Sequence, residues 1–179
     1  MRRERREYIP AMVEIRVLGE ADAEEFWAVR LEGLEREPWA FGTTPEEHRR
    51  TPAAAIAPSL RAGHPDVFVV GAFIDGRLRG VAGFSREARI KTRHRGRIWG
   101  VYVAADARGR GIGRRLVQAV IDRARTLPDI RILSLCVSMD QEPARRLYRS
   151  LGFVLCGVEQ EAIRIGDRAV DEEHLMLRV

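Results

Sequence analysis

Apolar residues recur along this chain with two different periods, and the switches between them mark its elements. Val13 to Val17 has the β-branched character of a strand. From Asp22 to Pro38 the spacing becomes helical, with Ala23, Trp27, Leu31 and Leu34 on one stripe. Asp22 followed by Glu25 has the form of a capping box, in which side chains satisfy the free amides of a helix start. Thr44-Pro45-Glu46-Glu47 predicts a second helix start, with a hydroxyl cap, a proline at the first helical position and acids in the first turn. Thr51-Pro52 interrupts that helix, and an Ala-rich piece continues to Leu60.

Val67 to Ile74 predicts a strand, Asp75-Gly76 a two-residue hairpin turn, and Leu78 to Phe84 the returning strand. A basic loop leads to a third strand, Ile98 to Val103. After a glycine-bearing loop, Ile112 to Thr126 predicts a helix buried along Leu116, Val117, Val120, Ile121 and Ala124, with Pro128 as its stop. Ile130 to Val137 predicts a strand, and Pro143 and Gly152 bound a helix. Phe153 to Val158 and His174 to Val179 frame a last strand pair, turning near Gly166-Asp167. The order β-α-α-β-β-β-α-β-α-β-β predicts an α/β (α+β) fold with one sheet of mixed strand directions.

A length of 179 residues suffices for one core without metal or disulfide staples. Residues 1–11 are expected to be a basic tail on a single domain spanning 12–179. No apolar run reaches the roughly 18 residues of a membrane span, and the charged start is not followed by a signal-type apolar stretch, so a cytoplasmic protein is expected. Cys136 and Cys156 lack metal-ligand spacing, and no metal site is expected. The net charge of +5 is almost entirely arginine, Lys91 being the single lysine. Basic residues are dense at Arg86 to Arg97 and Arg108 to Arg115. Aromatics do not interleave with them and no DNA-binding motif is present, which disfavours nucleic acid as a partner.

The segment Tyr102-Val103-Ala104-Ala105-Asp106-Ala107-Arg108-Gly109-Arg110-Gly111-Ile112-Gly113-Arg114 ends a strand, turns through glycines and starts a helix. The first amides of a helix lack internal partners and carry partial positive charge. Glycines let a phosphate approach them closely, and Arg108, Arg110 and Arg114 add full charges. A dinucleotide fingerprint fails because Arg114 stands where its third glycine belongs, and a P-loop fails for want of Gly-Lys-Ser/Thr.

Arg108-x-x-Gly111-x-Gly113 resembles the acetyl-CoA motif of the GNAT acetyltransferase superfamily, Gln/Arg-x-x-Gly-x-Gly/Ala. Ala144 through Leu147-Tyr148 to Gly152-Phe153 resembles its C-terminal motif. Gln141 stands at the usual Asn position, so a weakened or re-routed contact to the pantetheine arm, not lost binding, is expected there. The resemblance runs from Val13 to Val179 and implies a mostly antiparallel central sheet flanked by helices. It further implies direct acetyl transfer from acetyl-CoA to an amine in a ternary complex. The cofactor would lie along Val101, Tyr102 and Val103, against Arg108, Gly109, Arg110, Gly111, Ile112, Gly113 and Arg114, and beside Gln141 and Ala144. Backbone amides around Val103 would face the thioester carbonyl. Tyr148 matches the tyrosine near the CoA sulfur, a general acid, its alternative being a core tyrosine. Relatives often carry a carboxylate base on the strand before the cofactor loop, where this chain has Arg97 and Trp99. His94, Glu32, Glu35 or a water chain are the candidates left for that role. A small-molecule or peptide amine is the expected acceptor. Protein N-terminal or lysine acetylation, and a non-catalytic acyl-CoA-binding regulator, are the alternatives. Homodimerisation is a further implication of the resemblance.

Overall fold

The amphipathic run after the glycine loop folds as its periodicity predicts: Leu116, Val117, Val120 and Ala124 are at 0% exposure and Ile121 at 1%. In the computed structural model, which describes residues 12–61, 64 and 66–179, this helix is α4 (Ile112–Arg125). The expected tail, residues 1–11, lies outside the described residues. Before α4 come β1 (Val13–Val17), α1 (Ala23–Arg36), α2 (Pro45–Arg49), α3 (Ala53–Ile56), β2 (Val67–Ile74), β3 (Arg77–Arg86) and β4 (Arg95–Val103). After it come β5 (Ile132–Ser138), α5 (Glu142–Ser150), β6 (Val154–Ile165) and β7 (Arg168–Arg178).

The strands form one seven-stranded sheet in the order β1-β2-β3-β4-β5-β7-β6. Every neighbouring pair is antiparallel except β4 and β5, which run parallel. Alternate residues of β2 point to opposite faces, as the pleat requires. Phe68, Val70 and Ala72 join the cluster under α4, whereas Val69 and Phe73 join the cluster under α1.

One irregularity shapes the centre of the sheet. β4 and β5 pair only from Arg95–Ile132 to Arg97–Ser134 and then separate. On the other edge of β4 the register with β3 skips: Gly83 faces Trp99, yet Val81 faces Tyr102. Gly100 and Val101 thus oppose a single residue, and Gly100 has φ of +63°, the left-handed value typical of a glycine bulge. A bulge bends its strand, and here it accompanies the opening of a wedge between β4 and β5.

Several sequence expectations need correction. The buried stripe of α1 is Ala23, Phe26, Val29, Gly33 and Leu34, not the one through Trp27 and Leu31. Trp27 is instead half-buried, stacked on His48 of α2 with its indole N–H on the Thr51 carbonyl. Asp22 and Glu25 form no capping box on α1. Asp22 accepts from the Gly19 amide and pairs with Arg16, which holds its carboxyl below the usual range; Glu25 accepts from the Leu78 amide on β3. Arg86 to Arg97 is not simply a loop, since Arg86 ends β3, Arg95 begins β4, and Arg86 and Arg93 both pair with Asp66. The last strand pair is much longer than expected, and Cys156 lies exposed on its edge strand β6. Thr44 and Glu47 do exchange both bonds of a capping box.

Candidate active site

The wedge between β4 and β5 is a cavity of about 550 Å³. Val101, Tyr102, Val103, Arg108, Gly109, Gly111, Ile112, Gly113, Arg114, Gln141, Ala144 and Tyr148 all line it. Of the residues expected at the cofactor site, Arg110 alone does not.

Three structural facts build this cavity. First, its backbone donors are free. None of the amides from Gly109 to Arg114 has a hydrogen-bond partner among the described residues; the first amide to find one is Arg115, on the Gly111 carbonyl at 3.1 Å. Gly109 and Gly111 have φ of +77° and +70°, and side chains there would point into open space. The start of α4 is therefore a row of exposed donors at the positive end of a helix dipole. Second, the strand presents its polar edge to the wedge. The Ala104 amide donates to Arg79 on β3, so by strand alternation the Val103 amide points the other way, into the gap. Third, the last turn of α5 is locked. The Gly152 amide bonds the Arg149 carbonyl at 3.0 Å and the Phe153 amide bonds the Tyr148 carbonyl at 3.1 Å, the paired bonds of a Schellman motif. The Phe153 ring then packs edge-on against Tyr148, with centroids 6.0 Å apart. Gly152-Phe153 thus fixes the backbone and ring of Tyr148.

Tyr148 is 6% exposed, and none of the described side chains or backbone groups bonds its hydroxyl. Burial pushes its phenol well above the usual tyrosine range, so it carries its proton at neutral pH. Tyr102 differs. Its hydroxyl donates to Glu32 at 3.1 Å, and burial, assisted by that carboxylate, pushes it up to about 12. Glu32 is thereby a partner of Tyr102, and Glu35 pairs with Arg49 on the surface. Neither lines the β4–β5 cavity, nor does His94, whose carbonyl accepts from Arg131 at 2.8 Å.

The arginines of the loop have separate tasks. Arg108 does not extend along the free amides; its Nε donates to the Val103 carbonyl at 2.9 Å and its Nη2 to Glu37 at 2.8 Å. Arg114 donates to Ser150, joining α4 to the end of α5. Trp99 and Leu147 also line the cavity, as do Glu37, Phe41 and Ser138, which were not singled out in the sequence. Glu37 and Phe41 come from the loop after α1, far away in sequence, and no local pattern marks them.

A wedge between parallel strands, a helix start with free amides beside it, and a buried protonated phenol are features that acyl transfer from an anionic carrier would need. Comparison with known proteins agrees. The sequence profile of the acetyltransferase (GNAT) family matches residues 25–153. The N-alpha-acetyltransferase RimI of Mycobacterium tuberculosis is 35% identical over 114 residues, covering 64% of this chain and 68% of that protein. A GNAT-family acetyltransferase from Streptococcus pneumoniae superposes with a TM-score of 0.83 at 21% identity, over 94% of this chain and 100% of that one. A putative acetyltransferase from Salmonella typhimurium, solved with acetyl-CoA, superposes with a TM-score of 0.81 at 20% identity, over 94% of each chain. The chain belongs to the GNAT acetyltransferase family, and its reaction is acetyl transfer from acetyl-CoA to an amine. No helix among the described residues is long and apolar enough to cross a membrane.

Proposed function

We propose that acetyl-CoA binds in the β4–β5 cavity and that the acceptor is the terminal α-amine of a protein or peptide. The observation that carries the cofactor placement is the row of free amides from Gly109 to Arg114, all but that of Arg110 belonging to residues that line the cavity. Those amides, with the charge of Arg114, suit a pyrophosphate. The Val103 amide suits the carbonyl oxygen of a thioester, where negative charge develops during transfer. Tyr148 is the candidate acid for the departing thiolate. Gln141 contributes differently from an asparagine at the same place: its side-chain amide faces Glu37 at 3.4 Å, consistent with a contact routed away from the pantetheine.

The acceptor reading rests on the relative whose name is N-alpha-acetyltransferase. Two unpaired cysteines suit a reducing, cytoplasmic setting. The test is a panel of short peptides differing in their first residue, together with N-terminally blocked peptides carrying one lysine, and free small amines. Mass spectrometry after incubation with acetyl-CoA should find acetyl on the terminal amine of unblocked peptides. Acetylation confined to lysine side chains or to small amines would overturn the acceptor assignment and leave the cofactor site standing.

A further inference from the structure

The cavity just described has a neighbour across the sheet, and an imidazole in that neighbour lies against the wall the two share. Arg145 and Arg149 of α5 both bind Glu173 of β7, so the residues on either side of it, Glu172 and His174, point to the other face. There β5, β7 and β6 line a second cavity of about 330 Å³. Cys136 and Leu135 line both cavities. Cys136 is paired across the sheet with His174, and its Sγ lies 3.5 Å from the ring Nδ1. The ring's Nε2 lies 2.8 Å from the Glu159 carboxylate on β6. With Nε2–H donating to that carboxylate, Nδ1 keeps a lone pair facing the shared wall.

We propose that His174 is the general base of the acetyl transfer and that the acceptor amine arrives through this second cavity. The inference rests on the reading above and supplies the base that the loop before β4 does not. An ammonium coming past Cys136 gives one proton to Nδ1. The neutral nitrogen then attacks the thioester carbonyl, and the C–N bond forms as the C–S bond breaks. Tyr148 gives its proton to the thiolate, which leaves as the thiol, and the phenol is restored by the nitrogen's second proton. His174 releases its own proton to solvent along Glu159, which is exposed. The balance is one amide, one thiol and one proton. Glu159 holds the ring in one tautomer and steadies the imidazolium, as the third member of a triad does.

The other charged and titratable groups around the ring are Glu87 and, on β4, Arg95 and Arg97, with Cys156 on β6 and Glu172 on β7. Glu172 stands directly across from Glu159. Burial first, and then Glu159, raise its carboxyl, an arrangement that a passing cation would relieve. Burial also raises the Cys136 thiol, which keeps it protonated and favours a wall residue over a nucleophile.

The experiment uses the full chain, acetyl-CoA and an acceptor peptide from the panel. H174Q should lower kcat by about 10²–10⁴-fold, with acetyl-CoA affinity unchanged by calorimetry. Its pH–rate profile should lose the acidic limb that the parent shows. E159Q should lower kcat less and move that limb. H174A should regain rate with added free imidazole, which separates lost chemistry from lost folding. The proposal is overturned if H174Q keeps the parent's pH profile within about twofold in rate. It is equally overturned if acetyl-CoA alone leaves an acetyl group on the protein that C136S removes, because the chain would then be a nucleophilic relay. Binding of acetyl-CoA with no acetylation of any panel amine would overturn the acceptor reading itself, and this assignment with it.

Discussion

Glu37 ties three elements together at the cavity mouth: one carboxylate oxygen accepts from Arg108 at 2.8 Å and the other faces Gln141 Nε2 at 3.4 Å. Glu37 follows α1, Arg108 follows β4, and Gln141 precedes α5. The Arg108–Glu37 pair is partly open to water, with side chains 47% and 26% exposed. Such a pair is worth about 0–1 kcal/mol of stability, so E37A should barely move the melting temperature. The larger effect is expected on the cavity. If Arg108 acts as a strut and not as a phosphate ligand, E37A and R108A should each weaken acetyl-CoA by up to about fivefold, roughly 1 kcal/mol. The double variant should be no worse than the weaker-binding single one. Calorimetric affinities that add across the cycle would assign Arg108 directly to the cofactor.

The free amides at the start of α4 make Gly111 the most direct test of the proposed phosphate site. Its φ of +70° is one that Asn and Asp tolerate better than other side chains, and a Cβ there meets nothing within 4 Å. G111N and G111D are nearly the same size and differ in charge. An acid at a helix start is favourable by about 0.3–1 kcal/mol, so G111D should melt no lower than G111N. It should nevertheless bind acetyl-CoA at least about tenfold more weakly, a gap of roughly 1.4 kcal/mol. Equal affinities for the two variants would remove the pyrophosphate from this loop.

On the α5 side of β7, Glu173 sets a pH dependence of stability. Its side chain is 4% exposed and accepts from Arg145 and, at 2.8 Å and 3.0 Å, from Arg149. Arg145 above all holds its carboxyl below the usual range. A carboxylate with a lowered folded-state pKa contributes its full stabilisation above the ordinary carboxylate range. The contribution fades as pH falls through the lowered value. E173Q should therefore destabilise at neutral pH by about 2–3 kcal/mol, below the roughly 3–5 kcal/mol of fully buried pairs because Arg149 reaches solvent. The gap between parent and variant should close on acidification. Thermal melts from neutral to strongly acid pH will show it, and a pH-independent gap would mean that packing alone is at stake.

These residues also show what the sequence made legible. The helix periodicity of α4 and the Arg108–Gly113 spacing are local, and they located one wall of the cavity. The pair Gly152-Phe153 was legible as a motif, but its physical task, closing a Schellman turn that seats Tyr148, appears only in the hydrogen bonds. Glu37 and Phe41 were not legible, since they come from a loop that approaches through tertiary packing. His174 was hidden for another reason. It was read only as the first residue of a last strand, and its neighbours Cys136 and Glu159 come from two other strands whose register no single-sequence pattern fixes. The stripe of α1 was misplaced because Trp27, the most apolar-looking position, covers α2 and not the sheet.

Tyr148 offers the sharpest test of the chemistry on the thiol side. Its ring is fixed by the Schellman turn and by Phe153, and its hydroxyl has no protein partner among the described residues. Burial keeps the phenol protonated, which makes it available as a donor but a weak one. Passing that proton to an ordinary thiolate, of pKa about 8.5, would be uphill. The transfer becomes balanced only if the thiolate forms in the same apolar wedge, where desolvation raises its basicity as well. Catalysis by Tyr148 thus requires the closed environment of the cavity. Y148F keeps the ring and removes only the hydroxyl, so the fold and the acetyl-CoA affinity should hold. The expected result is a fall in kcat of about 10²–10⁴-fold with a nearly constant KM for acetyl-CoA. A thiol-release assay with an acceptor peptide measures it, run where chemistry limits the rate. Turnover of the Phe variant within about twofold of the parent would mean that solvent protonates the thiolate and that Tyr148 serves packing alone.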